Sequence, residues 1–240
     1  METLVQKLCI WMKDKVTEAK AKGIVFGLSG GLDSAVVAAL SIRIFPQDTL
    51  AIIIPCHSIE VDINDALDFI NKFNIPYKTV DLSKVYDSFI HLLNDKEKKK
   101  SCKLAEANIK PRLRMTILYY FANKLNYLVA GTGNKNELTI GYFTKYGDGG
   151  VDILPLGNLL KSQVRELAEY LGIPKKIINK PPSAGFWEGQ TDEEEMGISY
   201  DQLDKYLITG KLHNRVIEKK IQDKITKSAH KRTIPAKPLF

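Results

Sequence analysis

The sequence predicts an α/β fold, a doubly wound parallel sheet with helices on both faces, and three observations predict it. Short strands that are apolar throughout recur along the first half of the chain, as strands buried on both faces do. Between them lie helical segments of about 10–15 residues, the length that crossovers between parallel strands need. The first strand also runs into a turn of glycine and serine that opens directly onto a helix, which puts a ligand at the carboxyl ends of the strands.

In residues 2–22, Leu4, Val5, Leu8, Trp11, Met12 and Val16 recur near a 3.6-residue period and Gly23 follows, so a helix is expected. Strands are expected at 24–28, 50–54, 77–81 and 127–131, and helices at 34–45, 62–73, 82–94 and 109–125. Beyond Gly131 the pattern loosens. Residues 144–152 are glycine-rich and tight, and 161–171 read as a clean helix. Residues 180–197 hold two prolines, three glycines and four clustered acids, and are expected to form a mobile functional loop. Helices at 200–208 and 211–228 close the chain. With no repeat and no Gly/Ser linker, the 240 residues are expected to form a single domain.

At 44% hydrophobic and 26% charged residues, the composition is that of a globular protein and excludes collagen-like and disordered classes. Apolar runs such as 50–55 fall far short of the ~20 residues of a membrane span. Glu2 stands where a signal peptide has basic residues, and no small-residue cleavage site follows. Cys9, Cys56 and Cys102 are odd in number and widely spaced, suggesting neither a disulfide framework nor a CxxC site. A reduced, cytoplasmic protein is expected. The net charge of +7 is local. Residues 1–210 hold 26 Lys and Arg against 26 acids, while 211–240 hold 9 against 2. Such a basic tail suits a solvated helix face, an anionic small molecule, a phosphate backbone or an acidic partner. It lacks the aromatic interleaving of RNA-binding segments.

The motif that carries chemistry is Gly27-Leu28-Ser29-Gly30-Gly31-Leu32-Asp33-Ser34. Gly30 and Gly31 let the backbone approach a ligand closely, and their N–H groups converge at a helix N-terminus where an anion is favoured. Ser29 and Ser34 add hydroxyls. Asp33 would repel a phosphate unless a divalent cation lay between them, which points to Mg²⁺. An isolated SGG is equally a helix cap and a turn; the complete SGGLDS after the first strand of a βα unit favours phosphate. No GxxxxGK[ST] occurs, and Gly131-Thr132-Gly133 fails as a dinucleotide fingerprint because position 136 is Asn.

The loop resembles the pyrophosphate loop of the N-type ATP pyrophosphatases, enzymes that split ATP between its α and β phosphates and adenylate an oxygen. The block Gly141-Tyr142-Phe143-Thr144-Lys145-Tyr146-Gly147-Asp148-Gly149-Gly150-Val151-Asp152 is far more specific and resembles the ammonia-dependent NAD synthetase family. So do Gly131-Thr132 with Glu137, Lys110-Pro111-Arg112-Leu113-Arg114, Gly197-Ile198-Ser199-Tyr200-Asp201 and His230-Lys231-Arg232, in order from about residue 2 to 236. The resemblance implies an adenine nucleotide alpha hydrolase-like fold, usually a homodimer, with deamido-NAD, ATP and ammonia as substrates and neither nucleic acid nor membrane as partner. It implies that Gly27 to Ser34, Thr132, Lys161 and Ser183 hold ATP, that Asp33 and Glu137 hold Mg²⁺, and that Asp33 and Lys161 serve catalysis. It gives Arg112, Lys145, Asp152, His230 and Lys231 to deamido-NAD. Ser183 stands where many members have Thr, which keeps the hydroxyl, and residues 133–136 depart from better-known bacterial members.

Other readings of these residues are blander. Glu137 alone reads as a surface helix residue, and Lys145 as a solvated lysine. The acids Asp192 to Glu195 are expected to be a solvated face of the mobile loop rather than a second metal site. Cys56-His57 is too small for a zinc site, and His91 and His213 carry no signal. The rival functions are another AMP-forming member of the superfamily, which would share the loop but not GYFTKYGDGG, and a non-catalytic nucleotide sensor or nucleic-acid binder.

Overall fold

The computed structural model describes residues 1–93, 103–183, 185 and 189–238. Its centre is β1 (Gly23–Gly27), in which Ile24, Val25 and Phe26 have no solvent exposure. It pairs in parallel with β2 (Thr49–Ile53) on one side and β4 (Tyr127–Val129) on the other, and β2 pairs with β3 (Tyr77–Thr79). The order β3-β2-β1-β4 changes direction beside β1, which is where parallel sheets open a crevice at their carboxyl ends.

Strand residues alternate between two apolar layers. Ile24 and Phe26 face the first layer with α1 (Glu2–Glu18), α2 (Leu32–Ile44), α3 (Glu60–Phe73), α8 (Lys161–Tyr170) and α9 (Lys175–Ile178). Val25, Ile52 and Val129 face the second, where α6 (Ile109–Leu125) supplies Leu113, Ile117, Leu118 and Ala122 and α4 (Ser83–Leu93) supplies Tyr86. Ala35 to Leu40 of α2 are almost completely buried, so this helix is apolar on every side and sits inside the molecule. A third apolar cluster joins α7 (Lys135–Ile140), α11 (Tyr200–Thr209) and α12 (Arg215–Lys227) around Ile140, Met196, Tyr200, Leu203 and Ile221. It docks the C-terminal third of the chain against the crevice.

The expected elements are present, with shifts at their ends. α1 stops at Glu18 rather than running to 22, because the chain turns at Lys20, φ 52°, and Lys22 N donates to Asn126 O. β4 ends at Val129, and Ala130 continues only as an isolated parallel bridge to Ile153. α12 begins at Arg215 rather than 211, where the Asn214 side chain accepts from Val216 N and Ile217 N and caps the helix. α10 (Asp192–Met196) occupies part of the stretch expected to be a loop, and α7 lies where no element was assigned. Five and six residues are too few to display a 3.6-residue period. The expected helix end at Asn94, Cys102, and residues 184 and 186–188 of the expected mobile loop lie outside the described residues.

Candidate active site

The turn after β1 is braced by its own hydroxyls. Ser29 N donates to Ser34 Oγ (3.2 Å), the two hydroxyls are 3.0 Å apart, and Ser34 Oγ donates to Gly31 O (3.0 Å). Gly30 has φ +78°, and a Cβ there would lie 2.2 Å from Asp62 O on α3. Both the left-handed backbone and the contact require glycine. The turn delivers the N-terminus of the buried α2, thirteen residues long, to the crevice as a fixed anion site.

Two further elements, α8 and α7 with its cap, bring side chains to the surroundings of Asp33, in the first turn of α2. Lys161, the first residue of α8, is 2% exposed and bonds its ammonium to Asp33 Oδ2. Glu137 on α7 lies 3.7 Å from the same ammonium. Asn134 Nδ2 donates to Asp33 Oδ1 (3.2 Å). Asn134 and Glu137 also form the capping box of α7: Glu137 N donates to Asn134 Oδ1 and Asn134 N to Glu137 Oε2. The pair that holds one oxygen of Glu137 in a cap thus turns the other toward Lys161 and the Tyr200 hydroxyl (3.1 Å).

The charges are strongly perturbed. Burial, then the charge of Asp33, pushes the Glu137 carboxyl well above the usual carboxylate range, to about 8, against the pull of Lys161. Burial alone would lower the Lys161 ammonium, but Asp33 and Glu137 outweigh it and hold its proton more firmly than usual. Burial raises Asp192, and raises the Tyr200 hydroxyl with the help of Glu137 and Asp192. One lysine thus serves three buried or half-buried carboxylates. Two hard carboxylate oxygens aimed into a cavity, with too little positive charge between them, fit a divalent cation completed by phosphate oxygens.

The cavity measures about 540 Å³ and extends from the loop past the ends of β2 and α6 to residues 140–144, 147–148, 180–183, 185 and α10. Leu28, Ser29, Asp33, Ser34, Thr132, Glu137, Lys161 and Ser183 line it, as do Gly27, Gly31 and Leu32, while Gly30 supports the turn from behind. Of the residues expected to meet the dinucleotide, Lys231 lines the cavity and donates to Gly141 O and Phe143 O, each at 2.7 Å. Arg112 reaches Lys145 O (3.4 Å), and Lys145 Nζ donates to His230 O (2.6 Å), so these three and Lys231 form one connected group. Asp152 sits behind β4, accepting from Tyr119 OH (2.9 Å) and Val129 N (2.8 Å). Arg112, Lys145, Asp152 and His230 are not among the lining residues.

One expectation is corrected. Of the acids after Thr191, Glu193, Glu194 and Glu195 are exposed as expected, but Asp192 is not part of a solvated face: it is 5% exposed and accepts from Tyr200 OH (2.9 Å) and Tyr142 OH (3.1 Å). Glu195 accepts from Tyr142 OH and Gln190 Nε2, and Glu193 from Tyr200 N. Thr191 caps a short helix that turns Asp192 inward. Asp148, whose Oδ1 accepts from Thr144 N (2.9 Å), and Arg114, which bonds Ile54 O and Ser58 Oγ, also line the cavity and were not foreseen. The signal for Asn134 was available in Asn134-x-x-Glu137, a capping-box spacing; Tyr142 and Tyr200 stand in blocks that carry the family resemblance, but nothing in their own neighbourhood points to the carboxylates that their hydroxyls meet.

The family model for NAD synthase matches residues 4–235. The chain belongs to the NAD synthase family. It is 52% identical over its full length to an NH(3)-dependent NAD(+) synthetase of Carboxydothermus hydrogenoformans, covering 98% of that protein. It is 46% identical to the Archaeoglobus fulgidus protein of the same name, with 98% of this chain and 95% of that one covered. Among solved structures, NMN synthetase from Francisella tularensis superposes with a TM-score of 0.93 at 41% identity, over 100% of this chain and 98% of that one. The NH3-dependent NAD synthetase from Campylobacter jejuni superposes with 0.81 at 29% identity, over 99% and 98%. As an NAD synthase the chain is an ATP-using ligase of NAD biosynthesis with the adenine nucleotide alpha hydrolase-like fold of its neighbours.

Proposed function

We propose that this chain joins ammonia to the nicotinate carboxylate of deamido-NAD in two steps. The carboxylate attacks the α-phosphorus of ATP, pyrophosphate leaves, and a mixed anhydride with AMP forms. Ammonia then attacks the activated carbonyl, AMP leaves, and NAD is the product. The observation that carries this reading is a pyrophosphate loop and a buried lysine between two carboxylates, all facing one cavity. Bringing two anions together requires charge neutralisation and positioning rather than a covalent enzyme intermediate.

The N–H groups of residues 27–34, the hydroxyls of Ser29, Ser34, Thr132 and Ser183, and Lys161 hold ATP. Asp33 and Glu137 hold Mg²⁺, which, when bound, neutralises phosphate charge. Lys231, with Arg112, Lys145 and His230 linked behind it, holds the anionic dinucleotide, and Asp152 keeps lone pairs for a substrate hydroxyl beyond its two protein donors. Residues 180–197 exclude water from the hydrolysable adenylate.

The chain works as a homodimer in the cytoplasm. α4 has no buried residue, yet Val85, Phe89 and Leu92, at i, i+4 and i+7, share one of its faces and are 43%, 45% and 80% exposed. A second copy covers this face. Among the described residues no helix is long and apolar enough to cross a membrane, and Cys9 and Cys56 are free thiols.

Incubation with ATP, Mg²⁺, deamido-NAD and ammonium yields NAD, AMP and pyrophosphate; ADP and phosphate instead refute the reading. The high superposition with a synthetase of the mononucleotide favours a second reading, amidation of the deamido mononucleotide. The reacting carboxylate is the same, and the substrates differ only in the distal AMP half. Parallel assays with the mononucleotide as sole acceptor separate the two.

A further inference from the structure

α11 presents Tyr200 and Asp204 four residues apart, on one helix face, 1% and 7% exposed with Leu203 fully buried between them. Both bear on the same lysine from opposite ends, Tyr200 at its ammonium and Asp204 through Asn136 and the following backbone N–H. Asp204 Oδ2 accepts from Ser162 N (3.1 Å), and its Oδ1 accepts from Asn136 Nδ2 (2.6 Å). Asn136, wholly buried, accepts in turn from Lys161 N (3.1 Å). The first two N–H groups of α8 are therefore held by side chains from α7 and α11. At the other end, the Tyr200 ring centroid lies 4.8 Å from Lys161 Nζ, and its hydroxyl meets Glu137 Oε1 and Asp192 Oδ2.

Two physical costs explain why such a grip is needed. A cation in the first turn of a helix opposes the helix dipole; the Asp204 carboxylate, placed on the same N-terminus, offsets this. A lysine side chain also loses much rotamer freedom when fixed, so a buried ammonium needs walls on every side to keep a single position. The Tyr200 ring supplies one wall, and its face attracts a cation. α11 itself is set rigidly, with Ser199 and Gln202 forming its capping box.

We propose that Tyr200 and Asp204 are positioning residues for adenylation: from one face of α11 they fix both ends of Lys161, and Tyr200 fixes Glu137 as well. The proposal rests on the reading of Lys161 as the cation that serves ATP. Neither residue meets the reacting atoms; each acts through Lys161 or Glu137.

The test measures pyrophosphate release by the full chain with ATP, Mg²⁺, deamido-NAD and ammonium. Tyr200→Phe keeps the ring and removes the hydroxyl, and Asp204→Asn keeps the shape and removes the charge. Each lowers kcat about 10–100-fold, as loss of a supporting partner does, with the KM for ATP within about twofold. In a Lys161→Met background, adding Asp204→Asn costs less than about twofold more, because the residue it positions is gone. Unchanged kcat per folded molecule with a lowered Tm overturns the proposal, as does a full second loss in the Lys161→Met background. If Asp204→Asn does not fold, Tyr200→Phe decides by its split between kcat and KM. Near-normal activity of Lys161→Met itself instead refutes the role of Lys161, a distinguishable failure.

Discussion

Lys161 and Lys231 both reach the same cavity, yet their ammonium groups are held by opposite kinds of partner. Lys161 sits between the carboxylates Asp33 and Glu137, and their charges hold its proton more firmly than usual. Lys231 donates to the carbonyls of Gly141 and Phe143; burial, together with Lys224, Arg112 and Arg232, makes its proton easier to lose despite the attraction of Asp148. The first is locked in a cluster with excess negative charge, which under the proposed function a metal cation and its phosphates would complete. The second belongs to a group with excess positive charge, which under the same proposal an anionic substrate would complete. The proposal thus gives the cavity two ends of opposite sign, each suited to a different ligand.

The contrast can be broken most severely at the negative end. Asp33→Asn or Glu137→Gln removes one of the carboxylates that hold Lys161 and takes away half of the carboxylate pair. Pyrophosphate release at saturating Mg²⁺ is expected to fall by about 10²–10³-fold or more, with near-native circular dichroism. Near-normal release by either variant means that the pair is not the metal site.

At the positive end a smaller and differently directed effect is expected. Truncation after Ser228 removes His230, Lys231 and Arg232, and with them the bonds to Gly141 O, Phe143 O and Lys145. Losing a few charge-assisted bonds of about 1.5–3 kcal/mol each should raise the KM for deamido-NAD at least about tenfold and lower turnover, while calorimetry shows Mg-ATP affinity nearly unchanged. Equal weakening of both ligands would mean that the two ends are not independent. Salt-sensitive RNA binding lost on truncation would support the nucleic-acid reading of the tail instead.

The smallest effect sharpens the comparison with an ion pair outside the charged cluster. Asp65 on α3 bonds Lys180 (2.7 Å) and Lys176 (3.1 Å) and fastens the start of residues 180–197 to the body. Burial pushes its carboxyl up, but the two lysines outweigh that and hold it below its ordinary value of 3.8. A depressed carboxyl stabilises the folded state above the unfolded value, and that contribution disappears as pH falls through the folded one. Asp65→Asn should therefore cost about 0.5–1 kcal/mol at pH 7, where the partly exposed lysines are screened by solvent, and progressively less as the pH falls below the ordinary value of 3.8 and through the lowered folded one. Thermal unfolding of both proteins across that range checks this; a gap that does not shrink as the pH falls sinks it.

The two ends were not equally legible in the sequence. The 27–34 loop could be read directly because its chemistry is local: glycines, hydroxyls and a helix N-terminus follow one another along the chain. The strands were legible as short runs apolar throughout, as β1 shows, and the long helices through the length of the segments between them, as α6 shows. α7 and α10 were not, being shorter than two helical turns, and the inward direction of Asp192 depends on a cap at Thr191 and on tyrosines at 142 and 200.

By itself the sequence determined the parallel sheet, the turn that binds an anion and the local excess of positive charge in the tail, since each is a property of neighbouring residues. Only the tertiary structure decided which carboxylates share Lys161. Asp33 and Lys161 are separated by 127 intervening residues and meet because α2 and α8 pack on the same face of the sheet. Tyr200 and Asp204 then bear on Lys161 because α11 closes over α7 and the start of α8. Burial sets the protonation of Glu137, and burial is a property of the assembled layers rather than of any segment of the chain.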